Sequence, residues 1–185
     1  MTAPLLIASK LIAGGRGLAA SIVRRAATLE LDWDTRQKSR FDAVDSTGRA
    51  IGVFLPRGRI VRGGDVLVAE DGSLVAVKAS DQPVLVVTAG DDAGATLALL
   101  RAAYHLGNRH VPLEVRADRL QLEPDHVLAE MLVRMGLRVD AASGPFEPEA
   151  GAYDTASSAP GHHAHGHAQG HDHTHDHGHA HEVTP

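Results

Sequence analysis

Between residues 25 and 79 the apolar positions recur with a period of two: Leu29, Leu31 and Trp33, then Phe41 and Val44, then Ile51, Val53 and Leu55. Successive side chains of a strand point to opposite faces, so this alternation predicts short strands with one face buried. Turn residues interrupt the run at close spacing. Asp45-Ser46-Thr47-Gly48, Pro56-Arg57-Gly58, Gly63-Gly64 and Glu70-Asp71-Gly72 supply Gly, Pro or Asp where the backbone must reverse. Residues 66–68 and 74–77 flank Asp71-Gly72 as a hairpin. An all-β first domain over residues 1–80 follows. Its basic run, Arg36-Gln37-Lys38-Ser39-Arg40, reads as a solvated strand edge, with a contact surface for an acidic partner as the competing reading.

After residues 80–83 the period changes. Residues 84–89 form a β-branched run, and 91–106 carry Leu97, Leu99, Leu100 and Ala103 at helical spacing, with Gly107-Asn108 as the expected stop. Two short strands, 113–116 and 120–122, flank a turn at Ala117-Asp118. Residues 125–135 return to helical spacing with Val127, Leu128, Met131, Leu132 and Met135 as the buried stripe; Gly136 stops the helix and 137–139 begin a closing strand. The order βαββαβ predicts a ferredoxin-like domain over residues 81–143, with two helices on one face of an antiparallel sheet. The fold class is therefore α+β. From residue 144 onward Gly, Pro, Ala and Ser accumulate without a hydrophobic period, which predicts a linker to residue 160 and a disordered histidine-rich tail to residue 185.

Composition narrows the chemistry. One Trp, two Tyr and three Phe in 185 residues leave an aliphatic core and no aromatic set on which nucleic-acid bases could stack. Of the net charge of −5, three units sit on Asp172, Asp176 and Glu182 in a stretch without Lys or Arg, so the rest of the chain carries −2. That balance predicts neither a nucleic-acid nor a membrane partner. The absence of cysteine excludes disulfides, thiolate metal sites and thiol nucleophiles, leaving imidazole, carboxylate and water as metal ligands. The first twenty residues hold only a short apolar stretch near Leu5 to Ile7, interrupted by Pro4, Lys10 and Arg16, and predict a cytoplasmic protein without a signal peptide.

Ten of the thirteen histidines lie at the far end: His162, His163, His165, His167, His171, His173, His175, His177, His179 and His181. Histidine at nearly every second position of an extended chain lets several imidazoles wrap one ion, with Asp172 and Asp176 as auxiliary carboxylates. Divalent nickel, copper, zinc and cobalt suit such a donor set. A pH-responsive solubility tail competes with this reading, because free imidazoles charge near pH ~6.5. The tail in turn makes candidate ligands of the other three: His105, His110 and His126. His110 leaves the helix end on a loop, where it can face solvent or a partner subunit. His126 opens the second helix after Glu123-Pro124-Asp125, where it also fits as an ordinary first-turn residue. One loop imidazole cannot fill a coordination sphere, so His110 calls for His105, His126, water or a second copy; a two-fold axis supplies the same residue twice.

Leu31-Asp32-Trp33, the basic run 36–40, Leu55-Pro56-Arg57-Gly58, Arg62-Gly63-Gly64-Asp65-Val66-Leu67, Tyr104-His105-Leu106-Gly107-Asn108-Arg109-His110, Val111-Pro112-Leu113 and the histidine tail together resemble one family over nearly the whole chain. It is the family of urease accessory nickel metallochaperones, urease accessory protein E, with Gly107 to His110 as the most specific segment. The resemblance implies a β-rich peptide-binding-like first domain and a ferredoxin-like metal-binding second domain. It further implies a homodimer holding Ni(II) between two copies of His110, with Zn(II) or Cu(II) as alternative ions, and an accessory GTPase and apo-urease as partners. His105 matches a histidine of the family motif. His126 matches a peripheral ligand of some members, but the companion histidine of those members falls on Pro124 here.

The function expected is thus a non-enzymatic nickel carrier, with a general histidine-rich nickel, zinc or copper buffer as the alternative. A metallohydrolase built on His105, His110 and Asp91 or Glu114 is the remaining class. It lacks a helix-borne His pair with an adjacent Glu, or any comparable cluster.

Overall fold

Leu29 and Leu31 are buried on one face of the strand that the alternation picks out, which ends at Leu31. Asp32 then caps a helical turn by accepting from the Thr35 N–H at 2.8 Å, so Trp33 lies on a helix and not on the strand that its spacing suggested. In the computed structural model, which describes residues 5–90 and 94–150, the first half runs as follows. It begins with β1 (Leu6–Ile12), a 3-10 turn (Ala13–Gly15), α1 (Ala20–Val23), β2 (Ala27–Leu31) and α2 (Trp33–Arg36). It continues with β3 (Arg40–Val44), β4 (Ala50–Phe54), β5 (Val66–Ala69) and β6 (Leu74–Ala79).

These strands form one sheet in the order β2-β6-β5-β1-β4-β3. β1, which no alternation announced, is an interior strand, parallel to β4 and antiparallel to β5. The two edges approach each other where the Ser46 N–H donates to the Thr28 carbonyl at 2.8 Å and the Thr28 N–H donates to Ser46 Oγ at 3.0 Å, which curls the sheet toward a barrel. Its interior is aliphatic, with Ala8, Leu29, Ile51, Val53, Val61, Leu67 and Val75 fully buried. The β3–β4 turn is held by Asp45. Burial of this carboxyl works against its ionisation, but donors from Thr47 and Arg49 outweigh the burial and hold it down at about 2.

The second half runs β7 (Asp81–Thr88), α3 (Ala95–Gly107), β8 (Glu114–Val115), β9 (Leu120–Leu122), α4 (His126–Arg134) and β10 (Arg138–Pro145). The sheet order β10-β7-β9-β8, antiparallel at every step, is that of the expected ferredoxin-like domain. Val87, Leu120 and Leu122 face the helices and bury Ala102 and Leu106 of α3 and Leu132 of α4. Val84 points the other way and packs with Trp33 and Phe146.

Packing continues past residue 143, where the sequence pattern placed a linker. β10 pairs with β7 through Pro145, and Phe146 is fully buried, edge-on to Trp33 at 6.2 Å between ring centroids. The Arg36 side chain, also fully buried, donates from Nε to the Leu31 carbonyl, from Nη1 to Glu147 Oε1 at 2.7 Å and from Nη2 to the Phe146 carbonyl. Arg36 is therefore not solvated as expected; Gln37, Lys38 and Arg40 are exposed, but only Arg40 lies on a strand, the edge strand β3. Glu147 also accepts from the Gly63 N–H at 2.7 Å; a Cβ at residue 63 would sit 2.7 Å from the same oxygen, so a larger residue there would have to displace the carboxylate. A single phenylalanine and a glutamate whose partner lies 111 positions away leave no periodic trace, which is why the segment looked like linker.

Candidate metal-binding site

On α3, Ala102 and Leu106 are buried, while Leu97, Leu100 and Tyr104 are 51%, 62% and 67% exposed. Spacings of three and four place these last three along one outer stripe. Leu97 and Leu100 are thus not the buried residues that their helical spacing suggested. The expected start of the helix at Asp91 lies outside the described residues.

The helix ends at Gly107 with Asn108 as its cap, where the sequence placed the stop. Asn108 keeps right-handed helical angles, and the reversal comes at His110, whose φ of 56° is the only positive value of a residue other than glycine among the described residues. Two bonds close the end: the His110 N–H donates to the Gly107 carbonyl at 2.9 Å and the Val111 N–H to the Leu106 carbonyl at 3.2 Å. Leu106 is buried in the core and Val111 packs against that core, and Pro112 follows, unable to continue a helix. Arg109 adds a bond from Nη1 to the His105 carbonyl at 2.9 Å. A left-handed backbone at a residue with a Cβ costs about 1–2 kcal/mol and persists only where its surroundings fix it. Here the bonds to the Gly107 and Leu106 carbonyls, with Val111 packed against the core that contains Leu106, do so, and they leave His110 exposed at the helix end.

His105 is exposed one turn earlier, its ring edge-on to Tyr104 at 5.4 Å. His126 is the exposed first residue of α4, and the neighbouring Asp125 carboxylate is engaged in capping, accepting from Val127 and Leu128 at 2.8 and 3.0 Å. Among the described residues, no three His, Cys, Asp or Glu side chains gather into a group able to hold an ion, so His105, His110 and His126 do not form one site within a single chain. Nor is Glu114 free to join a hydrolytic centre. It is buried, pairs with Arg116 and accepts the Glu147 N–H at 2.6 Å. Asp91 and the ten histidines from His162 to His181 lie outside the described residues. The Glu149 N–H donates to the Leu113 carbonyl at 2.8 Å, which places Glu149 beside the segment that follows His110.

What this arrangement offers chemically is a fixed, solvent-facing imidazole that needs further ligands from outside its own fold. The alternation and spacing rules missed the outer stripe of α3 and the strain at His110. The stripe was legible as Leu97, Leu100 and Tyr104 at spacings of three and four; the strain had no sequence signal beyond the absence of glycine at residue 110.

Comparison with known proteins agrees over both halves. Residues 9–80 match the N-terminal domain model of the UreE urease accessory proteins, and residues 82–182 match the C-terminal domain model. The urease accessory protein UreE of Methylibium petroleiphilum is 67% identical over 83% of this chain and 71% of its own length. That of Albidiferax ferrireducens is 61% identical over 88% and 96%, respectively. That of Ralstonia nicotianae is 52% identical over 88% and 72%. With both domain models matched and relatives at this identity, the chain belongs to the UreE family of urease accessory proteins, which serve urease maturation and are not themselves enzymes.

Proposed function

We propose that the protein is a nickel metallochaperone that binds Ni(II) through histidines and delivers it to apo-urease while the active site is assembled. The observation that carries this reading is His110: an exposed imidazole at the one strained non-glycine position among the described residues, where the backbone alone would favour glycine. A neutral imidazole is a good ligand for nickel, zinc or copper, and a site completed by exchangeable ligands releases its ion readily to a partner.

The remaining ligands come from a second copy of the chain. Leu97, Leu100 and Tyr104 form an exposed apolar stripe on the helix that ends at His110, and a homodimer closing over this stripe brings two His110 imidazoles together on its axis. The labour is divided along the chain. Residues 1–80 form the peptide-binding-like domain and the second domain carries the shared ion, while His162 to His181 raise the local supply of nickel. His105 and His126 serve as auxiliary ligands near the shared ion. Delivery takes place in the cytoplasm together with an accessory GTPase.

The concentration of ten histidines in the tail favours one rival, a general buffer of nickel, zinc or copper. Reconstitution of apo-urease with the nickel-loaded protein, with and without the GTPase, separates the two. Carrier function predicts activation that depends on the GTPase and falls with His110→Ala. Activation indifferent to both identifies a buffer.

A further inference from the structure

The outer strand of a sheet presents a row of unpaired N–H and C=O groups, and folds shorten, charge or cover such strands. Among the described residues, three of the edge strands are handled in this way. In the first sheet, β2 and β3 turn toward each other and are bonded through Thr28 and Ser46. In the second, β8 is two residues long and is followed by Arg116, which pairs with Glu114. The remaining edge, β10, is different. It runs for eight residues, pairs with β7 along its whole length without a bulge, and has no strand on its outer side. Its exposed run Ala141-Ala142-Ser143 holds neither charge nor proline, and the charges before it, Arg138 and Asp140, are bonded to each other at 2.7 Å.

The helix beside this edge leaves it open. A groove of about 610 Å³ lies between α4 and β10, lined by the apolar Ala129, Val133, Val139 and Ala141 and by the charged Glu130 and Arg134. Two features fit a second copy of the chain as its occupant. A two-fold axis perpendicular to the sheet within residues 141–143 sets two β10 strands antiparallel. Arg138 and Asp140 then lie opposite residues beyond 141 of the other copy, so neither charge meets itself. The same axis sets two α4 helices antiparallel on one face of the joined sheet. Their order is reversed, so Glu130 of each copy comes to Arg134 of the other, and the pair bonded at 3.3 Å within one helix extends into a ring of alternating charges across the axis.

We propose that the free edge of β10, with the outer side of α4, is an interface between two copies of the chain, joining their four-stranded sheets edge to edge through antiparallel β10 pairing. This contact uses no histidine and lies on other elements than the α3 stripe, so it goes beyond nickel carriage and forms without the metal. Two chains joined at His110 carry one such edge each and assemble further through them.

The chain has no cysteine, so a single introduced thiol reports the contact without background. The full-length variants Ala141→Cys, Ala142→Cys and Ser143→Cys are oxidised in excess chelator beside a reference, Ala117→Cys in the exposed β8–β9 turn. Residues opposed near the axis of an antiparallel pair lie within disulfide reach, so at least one of the three should cross-link between copies at least about tenfold faster than the reference. Adding Glu130→Arg or Arg134→Glu to that variant should slow its cross-linking about tenfold, and mixing the two charge variants should restore it, because the mixed pair sets two arginines against two glutamates. Both side chains are largely exposed, so under reducing conditions each variant should keep the nickel isotherm of the parent, and a failure here leaves the metal reading standing. Cross-linking of all three thiols at the reference rate overturns the proposal. Cross-linking indifferent to both charge variants, or not restored on mixing them, overturns it as well.

Discussion

The two helices of the second domain end in the same way with different residues. α4 closes with the Gly136 N–H on the Val133 carbonyl and the Leu137 N–H on the Leu132 carbonyl; α3 closes with His110 on Gly107 and Val111 on Leu106. At each end the flanking apolar residues belong to the same core, Leu132 and Leu137 at one, Leu106 and the half-buried Val111 at the other. The residue that must turn left-handed is glycine in one case, at φ 83°, and histidine in the other, at φ 56°. Identical hydrogen bonds show that histidine adds nothing to the closure, and its Cβ makes the turn less favourable. What His110 brings is an imidazole at a fixed place, so the comparison separates the requirement of the fold from that of the site.

The comparison can be broken most severely in this core. Leu106→Ala and Leu132→Ala should each cost roughly 2–5 kcal/mol in denaturant unfolding, because both side chains are fully buried in one core. A much smaller cost at Leu106 would mean that its burial does not hold the α3 end. Next in size is the exchange Gly136→His, which puts a Cβ where glycine now sits and should cost about 1–2 kcal/mol, or a fall in Tm of about 2–4 °C per kcal/mol. A neutral result would remove the argument that His110 is strained.

The helix starts also differ, since Asp125 caps α4 with its side chain and Gly94 offers α3 no such cap. Asp125→Ala should therefore destabilise by about 1 kcal/mol in the same assay. Smallest is the reverse exchange, His110→Gly, which should raise stability by about 0.5–1 kcal/mol, the relief of strain being partly offset by the greater freedom of glycine in the unfolded chain. Loss of stability in that variant would show that the imidazole itself supports the fold.

Local pattern carried the second domain well. Its strand and helix order follows from periodicity, because each element there contributes a regular stripe to a single aliphatic core. The first domain was legible where strands are half-buried, as at Leu29 and Leu31, and failed at β1, where Ser9, Lys10 and the nearby glycines obscure an interior strand. Arg36 and Phe146 could not be read locally: what buries them is a partner from the opposite end of the chain. In the candidate site, the sequence put His110 on a loop just past a helix, and the structure agrees. The strained backbone behind it emerges only from the paired bonds to Gly107 and Leu106.

The central claim is that residue 110 is histidine for the sake of nickel, and calorimetric titration of nickel into the full-length His110→Gly variant beside the parent protein tests it most directly. The account predicts that the highest-affinity step disappears while the fold is kept and most of the nickel capacity, held by the distal histidines, remains. An unchanged highest-affinity step in a correctly folded variant would contradict it.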